Sequence, residues 1–257
     1  MKWIGNAAMA LGALCLATSA QALETHWSGA SGLLPDAVDP RWTLVDEGGG
    51  SPSFAGGVLT ISTPVNSFSA RQFYTMRNEG GTTDLDFSGP APYWLEAEMR
   101  FVSGSQTSGW WRAPGHMSFR FASGNLAVLE IRKDLIYVRN GDNSRGAQVV
   151  VDTDDAFHTY RLEALGQGTH SIVNVYYDGN LVMSDDALYS ASGVASLSFG
   201  EGSTLAGGVT QWRRVAHNMA AVAVPATPVP EPGSAGMALL GGLALWGWRR
   251  GRRGPRA

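Results

Sequence analysis

Two glutamates one residue apart raise the first question of chemistry. Glu96-Ala97-Glu98-Met99-Arg100 follows Tyr93-Trp94-Leu95 in a run that alternates polar and oily residues, and alternate side chains of a β-strand point to the same side. Trp94, Glu96, Glu98 and Arg100 therefore share one face, while Leu95, Ala97, Met99 and Phe101 share the other and belong to a core. Two carboxyls on one strand face can approach the roughly 5–5.5 Å separation that a retaining glycoside hydrolase needs between nucleophile and acid. Arg100 works against that role, because a guanidinium beside Glu98 would neutralise it sooner than help it act as an acid. The competing expectation is a solvated, salt-bridged strand face.

A second candidate is the loop Gly109-Trp110-Trp111-Arg112-Ala113-Pro114-Gly115-His116. Indole rings stack on the apolar C–H faces of sugars, and loops at the rim of a sheet carry such groups; the same rings could equally close the end of a core. Trp94, Glu96, Glu98, Arg100, Trp110 and Trp111 are thus the expected ligand-binding set, with Glu96 and Glu98 as its catalytic alternative. Asp152, Asp154 and Asp155, with the turn Asn140-Gly141-Asp142-Asn143-Ser144, offer hard oxygen ligands suited to calcium, although without the spacing of a fixed loop motif. No cofactor is otherwise expected. His26, His116, His158, His170 and His217 are scattered, and there is no nucleophile elbow, phosphate loop or dinucleotide fingerprint.

The elements that must hold these residues read as strands. Turn residues recur every eight to twelve positions or so between β-branched and aromatic runs, the pattern of a sandwich or barrel. Strands are expected at residues 41–45, 57–62, 71–76, 93–102, 117–122, 126–131, 135–139, 147–151, 157–165, 172–177, 181–183, 194–199 and 209–215. Asp178-Gly179 supplies the positive φ angles of a type I′ turn and should close a tight hairpin. No apolar 3.6-residue period persists between the two ends of the chain, so one all-β domain without helices is expected.

Those ends read as transport segments. Met1 to Ala22 has a lysine at position 2, an apolar stretch from Ile4 to Ala17 and the small-x-small site Ala20-Gln21-Ala22, as a secretory signal peptide does. The lone cysteine, Cys15, lies inside it, which excludes disulfides and thiolate metal sites from the mature domain. The chain carries 19 Lys and Arg against 22 Asp and Glu; Lys2 and the five arginines after Trp248 fall in the end segments, so the body is distinctly acidic. An acidic body argues against nucleic acid as a partner. After a proline-rich linker at residues 219–229, Val229-Pro230-Glu231-Pro232 leads into an uncharged run, Ala235 to Trp248, and then Arg249-Arg250-Gly251-Arg252-Arg253. As a helix that run spans only about 21–24 Å, short for a bilayer core, and the arginines behind it favour the cytoplasmic side.

This order of short polar motif, marginal anchor and basic end resembles a PEP-CTERM sorting signal at residues 230–257. The resemblance implies handling by an exosortase-type membrane protease, cleavage near Pro230 to Pro232, transient anchoring in the inner membrane and a final place at the cell surface or in extracellular matrix. Phe157-His158-Thr159-Tyr160-Arg161-Leu162-Glu163 with Val175-Tyr176-Tyr177-Asp178-Gly179-Asn180-Leu181-Val182 is similar to a hairpin of concanavalin A-like lectin/glucanase and laminin-G-like domains. Arg41-Trp42-Thr43-Leu44, Gly57-Val58-Leu59-Thr60-Ile61 and Trp212-Arg213-Arg214-Val215 fit the same plan. That resemblance implies a single jelly-roll β-sandwich at residues 23–218, flanked by a signal helix and an apolar anchor helix. In jelly-roll glucanases the catalytic acids alternate along one strand; here Arg100 stands where a third acid would. The functional expectation is non-enzymatic carbohydrate binding or a structural role in matrix or biofilm, with polysaccharide as partner, and a glucanase using Glu96 and Glu98 as the alternative.

Overall fold

The structure, a computed structural model, describes residues 25–48, 51–64, 70–77, 85, 87, 91–106, 113–140, 144–168, 171–186, 189–190, 192–202 and 206–219. The signal segment, the linker from residue 220, the Val229-Pro230-Glu231-Pro232 motif, the apolar run, Trp110 and Trp111 all lie outside them. Among the described residues the strands are, in chain order, β1 (Thr25–Ser28), β2 (Trp42–Glu47), β3 (Ser53–Ala55), β4 (Val58–Ser62), β5 (Arg71–Met76), β6 (Tyr93–Gln106), β7 (Gly115–Arg120) and β8 (Asn125–Arg132). They continue as β9 (Leu135–Arg139), β10 (Arg145–Val149), β11 (His158–Ala164), β12 (Val173–Tyr177), β13 (Asn180–Asp185), β14 (Tyr189–Ser190), β15 (Ser196–Glu201) and β16 (Ala206–His217). One turn of helix, α1 (Pro35–Val38), departs from the helix-free expectation. Four residues are too few to register as a period, and Pro35 at its first position is the local signal for it.

The strands form two eight-stranded antiparallel sheets. The first runs β13-β12-β11-β6-β16-β4-β3, with β1 paired to β16; the second runs β10-β9-β8-β7-β15-β5-β2, with β14 paired to β8. The alternation read from β6 holds: Leu95, Ala97 and Met99 are fully buried and Phe101 is 3% exposed. On β11, Tyr160, Leu162 and Ala164 are likewise buried. Asp178 and Gly179 sit at φ 48° and 79°, and Tyr177 pairs with Asn180 across them, as a tight I′-type hairpin requires.

The core between the sheets is centred on Phe199 of β15. Trp42 meets its ring edge-on at 5.2 Å, Tyr74 stacks at 5.5 Å, Trp212 approaches at 5.1 Å and Trp27 stacks at 6.2 Å. All five rings are at most 1% exposed. Trp27 donates its indole N–H to the Leu33 carbonyl at 2.9 Å and Trp212 donates its own to Thr210 Oγ1 at 2.9 Å, so these two polar edges are satisfied in the interior.

Candidate functional site

On the outer face of the first sheet, Trp94, Glu96, Glu98 and Arg100 of the set singled out from the sequence lie together on β6, and each is engaged by a neighbour; Trp110 and Trp111 lie outside the described residues. Arg214 of β16 donates to Glu96 Oε1 at 2.6 Å, and Arg161 of β11 lies 4.0 Å from Glu96 Oε2 and 3.7 Å from Glu163. Arg213 reaches Glu98 at 3.4 Å. Arg100 donates to Gln211 at 2.6 Å and, with Arg213, flanks the Phe157 ring at 5.1 Å and 3.7 Å. Trp94 is 9% exposed and lies beneath the Arg161 guanidinium at 4.3 Å. Asn174 and the Tyr176 hydroxyl donate to Glu163 at 3.2 and 3.3 Å.

This face is a mosaic of opposite charges in which every acid has a cation or amide beside it. The pairing follows from register: Glu96 and Glu98 of β6 stand between Arg161 of β11 and the arginines of β16. Glu96 Oε1 is occupied by a charge-assisted hydrogen bond from Arg214, and Oε2 lies within ion-pair distance of Arg161, so the carboxylate is part of a structural charge network. A shallow groove of about 230 Å³ does open here, lined by Glu96, Thr159, Arg161, Glu163, Tyr176 and Gly179. Trp94 and Glu98 are not part of its wall. A second hollow of about 530 Å³ passes Arg100, Phe157, Gln211 and Arg213.

The outer face of the second sheet holds a groove that the sequence reading did not single out. Its floor is β15, whose outward positions carry only Ser196, Ser198 and Gly200, with Gly202 just beyond. Its walls are β5, with Arg71, Phe73, Thr75 and then Arg77, and β7, with His116, Ser118 and Arg120. Small residues on a central strand between large ones on its neighbours leave a trench, here of about 300 Å³. The strand register arranges it in rows. Thr75, Ser198 and Ser118 form a central hydroxyl row, with the two serine oxygens 2.6 Å apart. Phe73 and His116 flank Gly200 with their rings 6.2 Å apart, and Ser196 pairs with Arg120 on the other side.

Two glycines shape the walls. A Cβ on Gly193 would stand 1.8 Å from Arg120 Nη1, and one on Gly202 would stand 2.0 Å from His116 Nδ1. The Arg120 guanidinium and the His116 ring therefore lie directly against bare backbone. Beside the trench, Glu130 is 2% exposed and is held by Arg139 at 3.3 Å and by the Ala113 N–H at 3.1 Å. The signal in the sequence is present as three alternating runs, Arg71-x-Phe73-x-Thr75-x-Arg77, His116-x-Ser118-x-Arg120 and Ser196-x-Ser198-x-Gly200-x-Gly202. What the sequence does not state is the pairing that sets them side by side.

Of the calcium candidates, Asp152 and Asp154 come together with Asp134, their carboxylates within 4.8 Å of one another. Asp155 turns away to His158 at 2.7 Å, and residues 141–143 of the other candidate turn lie outside the described residues. The Lys133 ammonium sits 2.8 Å from Asp154, and this hydrogen bond holds the Asp154 carboxyl below and the lysine above their ordinary pKa ranges. Asp152 Oδ1 accepts the backbone N–H groups of Asp154 and Asp155 at 3.3 Å each. Calcium takes six to eight or so oxygens. Three carboxylates, one already serving an ammonium and another the backbone, fit a capped turn better than that ion.

No family of known proteins matches the chain, and no curated protein does. Among solved structures it is similar to the metal-free carbohydrate recognition domain of Emp46p, at 11% identity and a TM-score of 0.45, over 77% of this chain and 97% of that one. It is also similar to an alginate lyase of Pseudomonas aeruginosa, at 12% identity and a TM-score of 0.45, over 70% and 98%. A carbohydrate-binding module of Bacillus subtilis aligns at 14% identity and a TM-score of 0.39, over 69% and 95%.

Proposed function

We propose that the chain is a polysaccharide-binding protein of the cell surface or extracellular matrix, exported through its N-terminal segment and sorted by its C-terminal one, and that it binds without cleaving. The observation that carries the binding is the trench across the second sheet: a floor of hydroxyls and glycines between walls of arginine, histidine and phenylalanine. Planar guanidinium forks hydrogen-bond sugar oxygens and a ring on the wall offers an apolar face, while the Ser118 and Ser198 hydroxyls bond each other at 2.6 Å and that of Thr75 donates to the Leu197 carbonyl at 3.2 Å. A trench running along a strand between its two neighbours, unlike a closed cavity, admits a polymer at any point along its length.

Binding without cleavage is supported by the arginine beside each of Glu96 and Glu98. The export and sorting reading is supported by the two end segments of the sequence. The test is a pull-down of the full chain, in mild detergent, on a panel of neutral and charged polysaccharides, with reducing ends assayed in parallel. The expected outcome is retention on at least one polymer with no new reducing ends. Retention on none overturns the binding reading, and product release that is lost in Glu96→Gln restores the hydrolase.

A further inference from the structure

We propose that the shallow groove on the outer face of the first sheet is a second saccharide site, separate from the trench, that holds one uncharged sugar ring by two adjacent hydroxyls, with Arg161 between Glu96 and Glu163 as the group that grips them. The inference goes beyond the polysaccharide-binding reading, because the groove lies on the other sheet and takes a small ligand. The decisive feature is a set of hydrogen-bonding groups that converge without completing one another. Arg161 Nη1 lies 4.0 Å from Glu96 Oε2 and Nη2 lies 3.7 Å from Glu163 Oε2, near enough to attract and too far to hydrogen-bond. Its Nε is buried without a partner, and the guanidinium makes no hydrogen bond to any of the described residues.

A closed pair on the same sheet gives the contrast: Arg214 donates to the other oxygen of Glu96 at 2.6 Å. Arg161 is nonetheless held in place, with its guanidinium 4.3 Å over the Trp94 ring and 29% of its side chain exposed. Strand register builds the arrangement. Glu96, Arg161 and Tyr176 form one row across β6, β11 and β12, and Trp94, Glu163 and Asn174 form the next. Asn174 and Tyr176 both donate to Glu163 Oε1, so the oxygen facing Arg161 is the one they leave open.

An arginine can only donate and a carboxylate can only accept, whereas a hydroxyl does both. A hydroxyl oxygen seated in front of either gap can accept from the guanidinium and donate to the carboxylate at ordinary lengths. Two gaps side by side on one planar fork call for two hydroxyls on neighbouring carbons, the pattern a sugar ring carries. The groove, at about 230 Å³, is smaller than the roughly 300–1,000 Å³ of sites for drug-sized ligands, which suits a single ring. Charge sets the rest of the class. Glu96 and Glu163 are balanced by Arg161 and Arg214, so a carboxylate on the sugar would compete with both glutamates for Arg161 and bring a negative charge that nothing in the network offsets.

The experiment is a ligand-observed NMR titration of the full chain, in a detergent without a sugar headgroup, with the methyl pyranosides of glucose, galactose and mannose. Each is compared with its methyl uronide, which adds a carboxylate, and with its per-O-methyl ether, which keeps the ring and loses every O–H donor. Saturable binding of at least one glycoside is expected, with its uronide weaker by about tenfold or more, the scale of one hydrogen bond to a charged group, and its ether not bound. Arg161→Lys keeps the charge, loses the fork and should weaken the glycoside by about tenfold or more. Should the lysine variant fail to fold, Thr159→Tyr provides the second arm: it fills the groove from β11, leaves every charge in place and should remove binding. Binding of none of the three glycosides overturns the inference and leaves the trench to its own pull-down. Equal binding of the uronide or the ether overturns the assignment to an uncharged pair of adjacent hydroxyls, and binding undiminished in both variants overturns its placement in this groove.

Discussion

Glu96 has the residue type and strand position to carry a reaction, and its surroundings explain why that expectation weakens. Its two oxygens face Arg214 and Arg161 from different strands, so the chemistry at the position depends on residues more than sixty positions away in the chain. Glu96→Gln should leave glycan hydrolysis undetectable, as in the parent, while lowering unfolding free energy by about 1–2 kcal/mol, between the range of exposed pairs and that of buried ones; urea denaturation gives the number. His158 makes a second residue-scale prediction. Burial would push its pKa down, but hydrogen bonds to Asp155 and Asp178, both at 2.7 Å, together with their charges, hold it above the ordinary histidine range. A group raised in the folded state stabilises fully below its unfolded pKa, about 6.5, and ceases to as pH rises through the folded value. The stability difference between the parent and His158→Gln should therefore be largest in mild acid and shrink toward alkaline pH. The Lys133–Asp154 pair leads to a third expectation: adding calcium, or a chelator, leaves the thermal midpoint unchanged, and a rise with calcium would show that the aspartates release the lysine.

At the scale of elements, alternation is the legible quantity. The strands Arg71–Met76 and Leu135–Arg139 carry the bounds that pattern assigns, and the inward set of β6 follows from it directly. The Asp178-Gly179 hairpin is legible for another reason, because positive φ is a local demand that few residue types meet. Gly179→Ala should cost roughly 1 kcal/mol at φ 79°, a purely conformational penalty, since the added methyl would point into open space with nothing within 4 Å. The short strands are not legible. Thr25–Ser28 and Ser53–Ala55 are too brief to alternate visibly and exist because β16 and β4 offer them an open edge. The trench is hidden for a related reason, since its three runs are separated by dozens of residues and become one surface only through the pairing of β5, β15 and β7.

At the scale of the whole molecule, the organising element is β16. It pairs with β6 along nearly all of its length on one side and with both β4 and β1 on the other, so the last strand of the domain joins the early strands into one sheet. A chain stopped after Met219 should keep a cooperative unfolding transition, whereas one stopped after Glu201 should show none by near-ultraviolet circular dichroism, because Trp212 leaves the core with the strand. Pairings between sequence-distant strands dominate this topology, and such topologies fold on the slower side of the range for single domains.

The pairing of Thr25 with Ala216 puts the first and last described strands side by side, so the polypeptide enters and leaves the domain along one seam. If the chain is tethered at its far end while its ligand is held elsewhere, tension enters through His217 and runs along the axis of β16. Load applied in that direction shears the strand against partners on both flanks, and many hydrogen bonds must fail together; a sideways pull would unzip them one at a time. The architecture thus suits a protein that has to hold on while being dragged.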